Sequence, residues 1–242
     1  MKIGLFVPCY IDQFYPDVGK ATLLILENLG YEVTYPLEQS CCGQPMVNSG
    51  FVKEGGAVTK NFRKVFRDCD VVVGPSGSCV HHLVDHEKLG QQSGKPEVYE
   101  LFSFLHAQNN FPRSLQPFPH RVGLHYSCHA LRGLNIASPS ELVEPYFSKI
   151  QPILDVIPEM EIVPLDNVDE CCGFGGTFSV FESAVSIDMG ERRVEDHVSH
   201  GAEYVVSMDS SCLMHMEGVA RKQKQNVRFL HLAELVAKLW ER

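Results

Sequence analysis

The stretch KIGLFVPC, residues 2–9, is matched by RVGLHYSC at residues 121–128. In each copy a short apolar run ends at a cysteine, and such a run is typical of a strand buried in a parallel sheet. Three more stretches recur in the same order: SCCGQP (40–45) with ECCGFG (170–175), CDVVVGPSGSC (69–79) with AEYVVSMDSSC (202–212), and EVYELFSFL (97–105) with VRFLHLAEL (227–235). The sequence therefore predicts two copies of one structural unit.

Strand and helix patterns alternate within each copy. The predicted strands are 3–7, 32–35 and 71–73 in the first copy and 122–126, 161–163 and 204–207 in the second. The predicted helices are 20–29, 51–67 and a segment from about residue 80, then 140–150 and 180–198. This alternation predicts an α/β fold of two Rossmann-like parallel-sheet lobes, related by a pseudo-two-fold axis. We expect the lobes to span 1–110 and 120–242, with a linker at 109–120 that contains three prolines.

Composition excludes several classes of function. The chain has 242 residues, 44% of them hydrophobic, and a net charge of −9. A negative surface disfavours binding to nucleic acid or to anionic membranes. No apolar run approaches the roughly 18 residues of a membrane span. The N-terminus MKIGLFVPCY is too short in its apolar part for a signal peptide, so we expect a cytoplasmic protein whose nine cysteines stay reduced.

Eight of those cysteines form two matched sets, each following predicted strands. The first set is Cys9, Cys41, Cys42 and Cys79, and the second is Cys128, Cys171, Cys172 and Cys212. Ligands of open α/β sheets bind outside the carboxyl ends of the strands, so each set should converge there. Two adjacent thiols followed by a turn-forming glycine favour an iron–sulfur cluster over one zinc ion, and zinc stays open. Cys69 has no counterpart and is assigned to packing.

Two other uses of these cysteines are less favoured. A disulfide framework conflicts with the expected reducing compartment. Thiol–disulfide chemistry at Cys41 and Cys42 ranks last, because a disulfide between neighbouring residues is strained.

Several polar residues near the cysteines are candidates for further roles. His82 and His215 each follow a cysteine by three residues, so one helical turn could make them additional ligands, or they could face solvent. His125 and His129 flank Cys128 and could donate hydrogen bonds to a cluster. Arg132 is the candidate for holding a substrate carboxylate, with a surface ion pair as the alternative.

The motifs that carry a family resemblance are SCCGQP followed by Asn48-Ser49-Gly50, GPSGSC, HYSCHALR, ECCGFGGTFSV, MDSSCLMH and HLAEL. The doubled CCG pattern resembles the cysteine-rich CCG domain of heterodisulfide reductase and related iron–sulfur oxidoreductases. More closely, and over essentially the whole chain, the sequence resembles the lactate-utilisation protein A family. This resemblance implies that each set of four cysteines binds one iron–sulfur cluster, such as a four-iron cluster. The relatives of the reductase have a cysteine where this chain has His82 and His215, so cluster type and iron versus zinc in each lobe stay open.

The resemblance also implies an oxidoreductase subunit, active only with partner proteins, in a three-protein system that oxidises L-lactate, a small 2-hydroxy acid, to pyruvate. The chain has neither a C-x2-C-x2-C run nor a G-x-G-x-x-G turn after its first strand. We therefore expect a ferredoxin-like iron–sulfur subunit and a third subunit as partners. The alternative function is a zinc-binding scaffold subunit without chemistry of its own.

Overall fold

The computed structural model describes residues 1–89 and 96–240, and side chains throughout these ranges except at 86–89. The chain divides into two compact units, Met1–Phe111 and Pro112–Arg242. Each unit contains one four-stranded sheet in which every pair of neighbouring strands is parallel. The predicted pair of parallel-sheet α/β lobes is confirmed.

The first unit has the strand order β2-β1-β3-β4. Its strands are β1 (Lys2–Leu5), β2 (Glu32–Thr34), β3 (Val71–Gly74) and β4 (Glu97–Glu100). Its helices are α1 (Cys9–Phe14), α2 (Pro16–Asn28), α3 (Gln44–Asn48), α4 (Val52–Phe66), α5 (Gly77–Leu89) and α6 (Leu101–Ala107).

The second unit repeats this order as β6-β5-β7-β8. Its strands are β5 (Arg121–His125), β6 (Glu161–Ile162), β7 (Tyr204–Ser207) and β8 (Arg228–His231). Its helices are α7 (Gln151–Leu154), α8 (Phe178–Phe181), α9 (Ser183–Ser199), α10 (Ser210–Lys222) and α11 (Leu232–Leu239), and a π-helical turn spans His129–Gly133.

Apolar strands and one face of each long helix form the two cores. Every residue of β3 is buried, as expected for a central strand covered on both sides. Helix α4 buries Phe62 and Phe66 against this sheet. In the second unit α10 contributes Leu213 and Met216 to the corresponding core. Among the described residues, none of the helices combines the length and apolar content needed to cross a bilayer.

The predicted helix at 140–150 is wrong. This segment consists of turns and irregular structure, and the short helix α7 begins only after it, at Gln151. Pro145 lies in the middle of the predicted helix, where its ring removes a backbone donor and clashes with the preceding turn. The segment closes instead through an isolated bridge between Ala137 and Ser148.

Candidate metal centres

The Cys-Cys-Gly turns have the same backbone geometry in both units. Gly43 has a φ of +95° and Gly173 a φ of +88°, in the left-handed region that glycine alone adopts without strain. In each turn the glycine N–H lies 3.4 Å from the sulfur of the first cysteine, Cys41 or Cys171. The turn therefore aims a backbone donor at a thiolate.

The last cysteine of each set lies in the first turn of a capped helix. Cys79 donates its backbone N–H to the Ser76 hydroxyl at 3.3 Å, at the start of α5. Asp209 accepts from the Ser211 N–H at 3.2 Å at the start of α10, which carries Cys212. The last cysteines of the two sets therefore occupy equivalent places, each at the start of a helix that follows a central strand.

The four thiols of the first set form a connected group. The sulfurs of Cys9 and Cys41 lie 3.7 Å apart. Cys41 also hydrogen-bonds to Cys42, and Cys42 hydrogen-bonds to Cys79. Thiols from three separate parts of the sequence thus meet where β1 and β3 end.

The second set repeats these contacts. Cys128 hydrogen-bonds to Cys171, Cys171 to Cys172, and Cys172 to Cys212. Cys172 and Cys212 are buried, whereas Cys128 and Cys171 are half-buried. The two units therefore present the same chain of four sulfurs.

One thiolate is favoured in each chain of sulfurs. The pKa of Cys41 is lowered by hydrogen bonds from Cys42 and Cys9 and by the Gly43 N–H. The pKa of its donor Cys9 is raised, because that thiol donates to Cys41 and is partly desolvated.

The same asymmetry holds in the second unit. Cys171 has a lowered pKa, chiefly because the Cys128 thiol donates to it. The pKa of Cys128 is raised by its bond to Cys171 and by burial. For Cys212 the bond to Cys172 lowers the pKa, but burial and the Asp209 carboxylate outweigh it and raise the value.

This asymmetry predicts the order of chemical labelling in metal-free, reduced protein. At about pH 7 we expect Cys41 to react with iodoacetamide at least about tenfold faster than Cys9, because thiolate fraction falls tenfold for each unit of pKa. Cys171 should likewise react ahead of Cys128. Peptide mass spectrometry after short exposure measures both ratios, with near-UV circular dichroism as the control for folding. Equal rates within each pair would contradict the assignment.

The histidines near the thiols differ between the units. In the first, the charge of His82 on α5 lowers the pKa of Cys41. In the second, His125 at the end of β5 is among the groups that lower the pKa of Cys171. His215, the sequence counterpart of His82, instead has its Nε2 3.0 Å from the Ser186 carbonyl oxygen on α9. Ligation by His82 and His215 stays a prediction, and the structure gives Nε2 of His215 a different partner.

The donor atoms are spaced differently in the two units. Four sulfurs bound tetrahedrally to one zinc ion lie about 3.8 Å from one another. Among the described residues, no three sulfurs of the first set lie within 4.8 Å of one another. In the second unit one compact group includes two of the thiols: the donor atoms of His125, Cys172 and Cys212 all lie within 4.8 Å of one another.

Two further residues have defined surroundings. Cys69 is buried and its sulfur lies 3.7 Å from the Thr34 hydroxyl, beside β1. Arg132 binds Glu141 bidentately, at 2.6 and 2.9 Å, and also contacts Asp169 at 3.4 Å. The structure thus supports the ion-pair alternative for Arg132 rather than a free carboxylate clamp.

A cavity of about 400 Å³ lies in the second unit between the ends of β5 and β6. Its wall is mainly apolar and includes Tyr126 and Leu131. The ionisable carboxylates on the wall are Glu144 and Asp169. An anionic hydroxy acid would be repelled by these groups, so the cavity does not suit such a substrate.

Sequence reasoning missed Arg193, which is fully buried beside the second set. Its Nε lies 3.2 Å from Nδ1 of His125, and its Nη1 lies 3.0 Å from Asp196. Burial, reinforced by the Arg193 charge, lowers the pKa of His125 to about 3. A signal was available in the repeat, because Arg193 and His197 stand four residues apart on α9 as the apolar Phe62 and Phe66 do on α4.

Fold and thiols together define a duplicated α/β protein with one cysteine-rich centre per lobe. The family model described as a cysteine-rich domain, CCG, matches residues 3–84 and 122–217. Lactate utilization protein A of Exiguobacterium sp. is 37% identical to this chain, covering 97% of the chain and 96% of the relative. The protein of the same name from Geobacillus thermodenitrificans is 37% identical, covering 98% of each. The chain therefore belongs to the lactate utilization protein A family of CCG proteins.

A solved structure shows the same fold in a distant protein. A hypothetical protein from Helicobacter pylori superposes with a TM-score of 0.50 at 12% identity, covering 100% of this chain and 49% of that one. At this identity the likeness concerns the fold alone.

Proposed function

We propose that this protein is the iron–sulfur electron-transfer subunit of a cytoplasmic multi-protein system that oxidises L-lactate to pyruvate. The observation that carries the proposal is the hydrogen-bonded row of four thiols in each lobe. The protein that contains these rows belongs to the lactate utilization protein A family. The first centre would be held by Cys9, Cys41, Cys42 and Cys79, and the second by Cys128, Cys171, Cys172 and Cys212.

The residues present fit such a group. Each lobe supplies four soft sulfur donors, which iron–sulfur clusters require. Cys42 and Cys172 are buried, which limits access of water to one side of each centre. The N–H groups of Gly43 and Gly173 donate to sulfur and so favour the thiolate form. When bound, an iron–sulfur cluster supplies reversible storage of an electron.

Contacts around the second centre support a substrate site elsewhere in the assembly. Arg132 is already paired with Glu141, and the nearby cavity presents carboxylates rather than a cation. A hydroxy acid needs a cation or a cluster of donors for its carboxylate. We therefore propose that lactate binds to a partner subunit, and that a ferredoxin-like iron–sulfur subunit and a third protein complete the system.

Reconstitution with those partners tests the proposal. The anaerobically purified protein alone should show little oxidation of L-lactate to pyruvate, because it would carry electrons but not bind the substrate. Activity should rise at least about tenfold when both partner subunits are added. Pyruvate formation with an artificial electron acceptor measures this, and each partner without the present chain serves as the control. Robust turnover by the isolated chain, or full activity of the partners without it, would overturn the proposal.

A further inference from the structure

The core beneath the two sets of cysteines is built from different residues in the two lobes. In the first lobe Phe6, Phe62 and Phe66 form an aromatic cluster. Phe6 meets Phe62 edge-on at 5.1 Å between ring centroids and Phe66 at 6.2 Å. This is an ordinary apolar core arrangement.

The matching positions of the second lobe carry His125, Arg193 and His197. Phe6 precedes Cys9 by three residues, as His125 precedes Cys128. A side chain added at Gly4 would meet the ring of Phe66, and one added at Gly123 would meet the ring of His197. Helices α4 and α9 therefore place equivalent residues against equivalent strands.

All three polar replacements are buried, with exposed fractions of 2% for His125 and 0% for Arg193 and His197. A buried charge persists only when it is paired and hydrogen-bonded. Arg193 meets this condition through the Asp196 carboxylate and through the backbone carbonyls of Asn167, Val168 and Leu124. Two of these carbonyls belong to the segment that leads into Cys171, so Arg193 also anchors that segment.

The remaining donor of Arg193, Nε–H, fixes the proton on His125. A guanidinium is always protonated and only donates hydrogen bonds. Nδ1 of His125 lies 3.2 Å from this nitrogen and must accept, so the proton of the neutral ring resides on Nε2. Within the described residues, this buried Nε2 has no hydrogen-bond partner.

The same ring lies next to two of the thiols. One donor atom from each of His125, Cys172 and Cys212 lies within 4.8 Å of the other two. Because Nδ1 is engaged by Arg193, Nε2 is the nitrogen left to face these sulfurs. A histidine that ligates a metal through Nε2 would carry its proton on Nδ1 and give it to an acceptor. Arg193 occupies that side as a donor. Ligation by His125 would therefore leave the Nε–H of Arg193 facing the Nδ1–H of His125, with no acceptor between them.

We propose that His125 is a hydrogen-bond donor to the sulfur of the second centre, held in its Nε2–H tautomer by Arg193, and that it is not a ligand. The proposal rests on the proposed function insofar as the centre contains iron. Hydrogen bonds to cluster sulfurs stabilise the more negative, reduced state and thereby raise the reduction potential. His125 is therefore a positioning and tuning residue of the second centre.

Substitution of His125 in the full-length protein tests the tuning. His125→Phe, which installs the residue that the first lobe has here, should keep the full iron content. The reduction potential of its second centre should fall by at least about 59 mV, which is a tenfold loss of electron affinity for a one-electron couple. His125→Gln should keep the reduction potential close to that of the wild type. A glutamine can accept from Arg193 through its side-chain oxygen and donate through its side-chain NH2 group. An anaerobic redox titration followed by electron paramagnetic resonance measures each potential. Loss of iron in a folded His125→Phe protein, or an unchanged potential, would overturn the proposal.

A measurement on metal-free protein separates this inference from the proposed function. With 15N-labelled histidine, nuclear magnetic resonance should show His125 protonated on Nε2 and not on Nδ1. Protonation on Nδ1 would overturn the donor assignment whatever the metal. If the second lobe binds zinc, the proposed function fails. An Nε2–H ring in the wild type, together with an unchanged zinc content in His125→Phe, would still support His125 as a hydrogen-bond donor.

Discussion

Replacing Cys172 by Ser is expected to abolish growth on L-lactate while leaving growth on glucose unchanged. The substitution removes a buried thiol that links Cys171 to Cys212, so the second chain of sulfurs is interrupted at its middle. A serine hydroxyl is a far weaker ligand for iron than a thiolate. Growth curves of a strain carrying only the variant gene measure the effect, and deletion of the gene should give the same phenotype.

A matched control uses the ninth cysteine. Cys69 is buried like Cys172 but contacts Thr34 and Gly4 beside β1, outside both sets. Cys69→Ala should therefore support normal growth on lactate, with a loss of stability on the order of 1 kcal/mol. Circular dichroism of both purified variants establishes that they fold. Normal lactate growth of the Cys172→Ser strain would refute the proposed role of the second centre.

The second large effect is expected for Gly173→Ala. Gly173 has a φ of +88°, and an added Cβ would lie 2.6 Å from the Ser186 carbonyl oxygen and 2.7 Å from the Met189 Cβ. These neighbours belong to α9 and cannot move independently of it. We expect the free energy of unfolding to fall by about 2–4 kcal/mol, combining backbone strain with overpacking. The displaced turn should also weaken metal binding at Cys171 and Cys172.

Gly218→Ala provides the control for this substitution. Gly218 lies within α10, and an added Cβ would meet no atom within 4 Å. Alanine in an exposed helical position stabilises by about 0.5–1 kcal/mol relative to glycine. Urea denaturation of both variants measures the difference. A Gly173→Ala protein as stable as the wild type would contradict the requirement for the tight CCG turn.

The duplicated sheet could be predicted from sequence because the signals are local. The apolar runs of β1 and β5, each ending near a cysteine, indicate buried parallel strands without any knowledge of tertiary contacts. The long helices α4 and α9 follow from apolar residues at helical spacing. The predicted helix at 140–150 failed because its apolar spacing includes Pro145, which a helix interior does not tolerate.

Contacts between sequence-distant polar residues lay beyond these local signals. Arg193 stands beside Val194 on an amphipathic helix, and nothing in that window distinguishes a buried arginine from an exposed one. Its burial depends on Asp196 and on carbonyl groups that only the folded chain brings together. His215 likewise matches His82 in sequence, yet Ser186, which stands where the first lobe has Gly55, offers it a carbonyl and a hydroxyl.

Iron, sulfide and zinc analysis of anaerobically prepared protein is the most direct test of the central claim that each set of four cysteines binds an iron–sulfur cluster. The wild-type protein should be brown and contain iron and acid-labile sulfide in similar amounts. Cys42→Ser and Cys172→Ser should each lose about half of both, because each variant interrupts one of two independent sulfur donor sets. Cys69→Ala should retain the full content. A colourless protein with stoichiometric zinc and no sulfide would contradict the claim and leave the zinc-binding scaffold as the function to pursue.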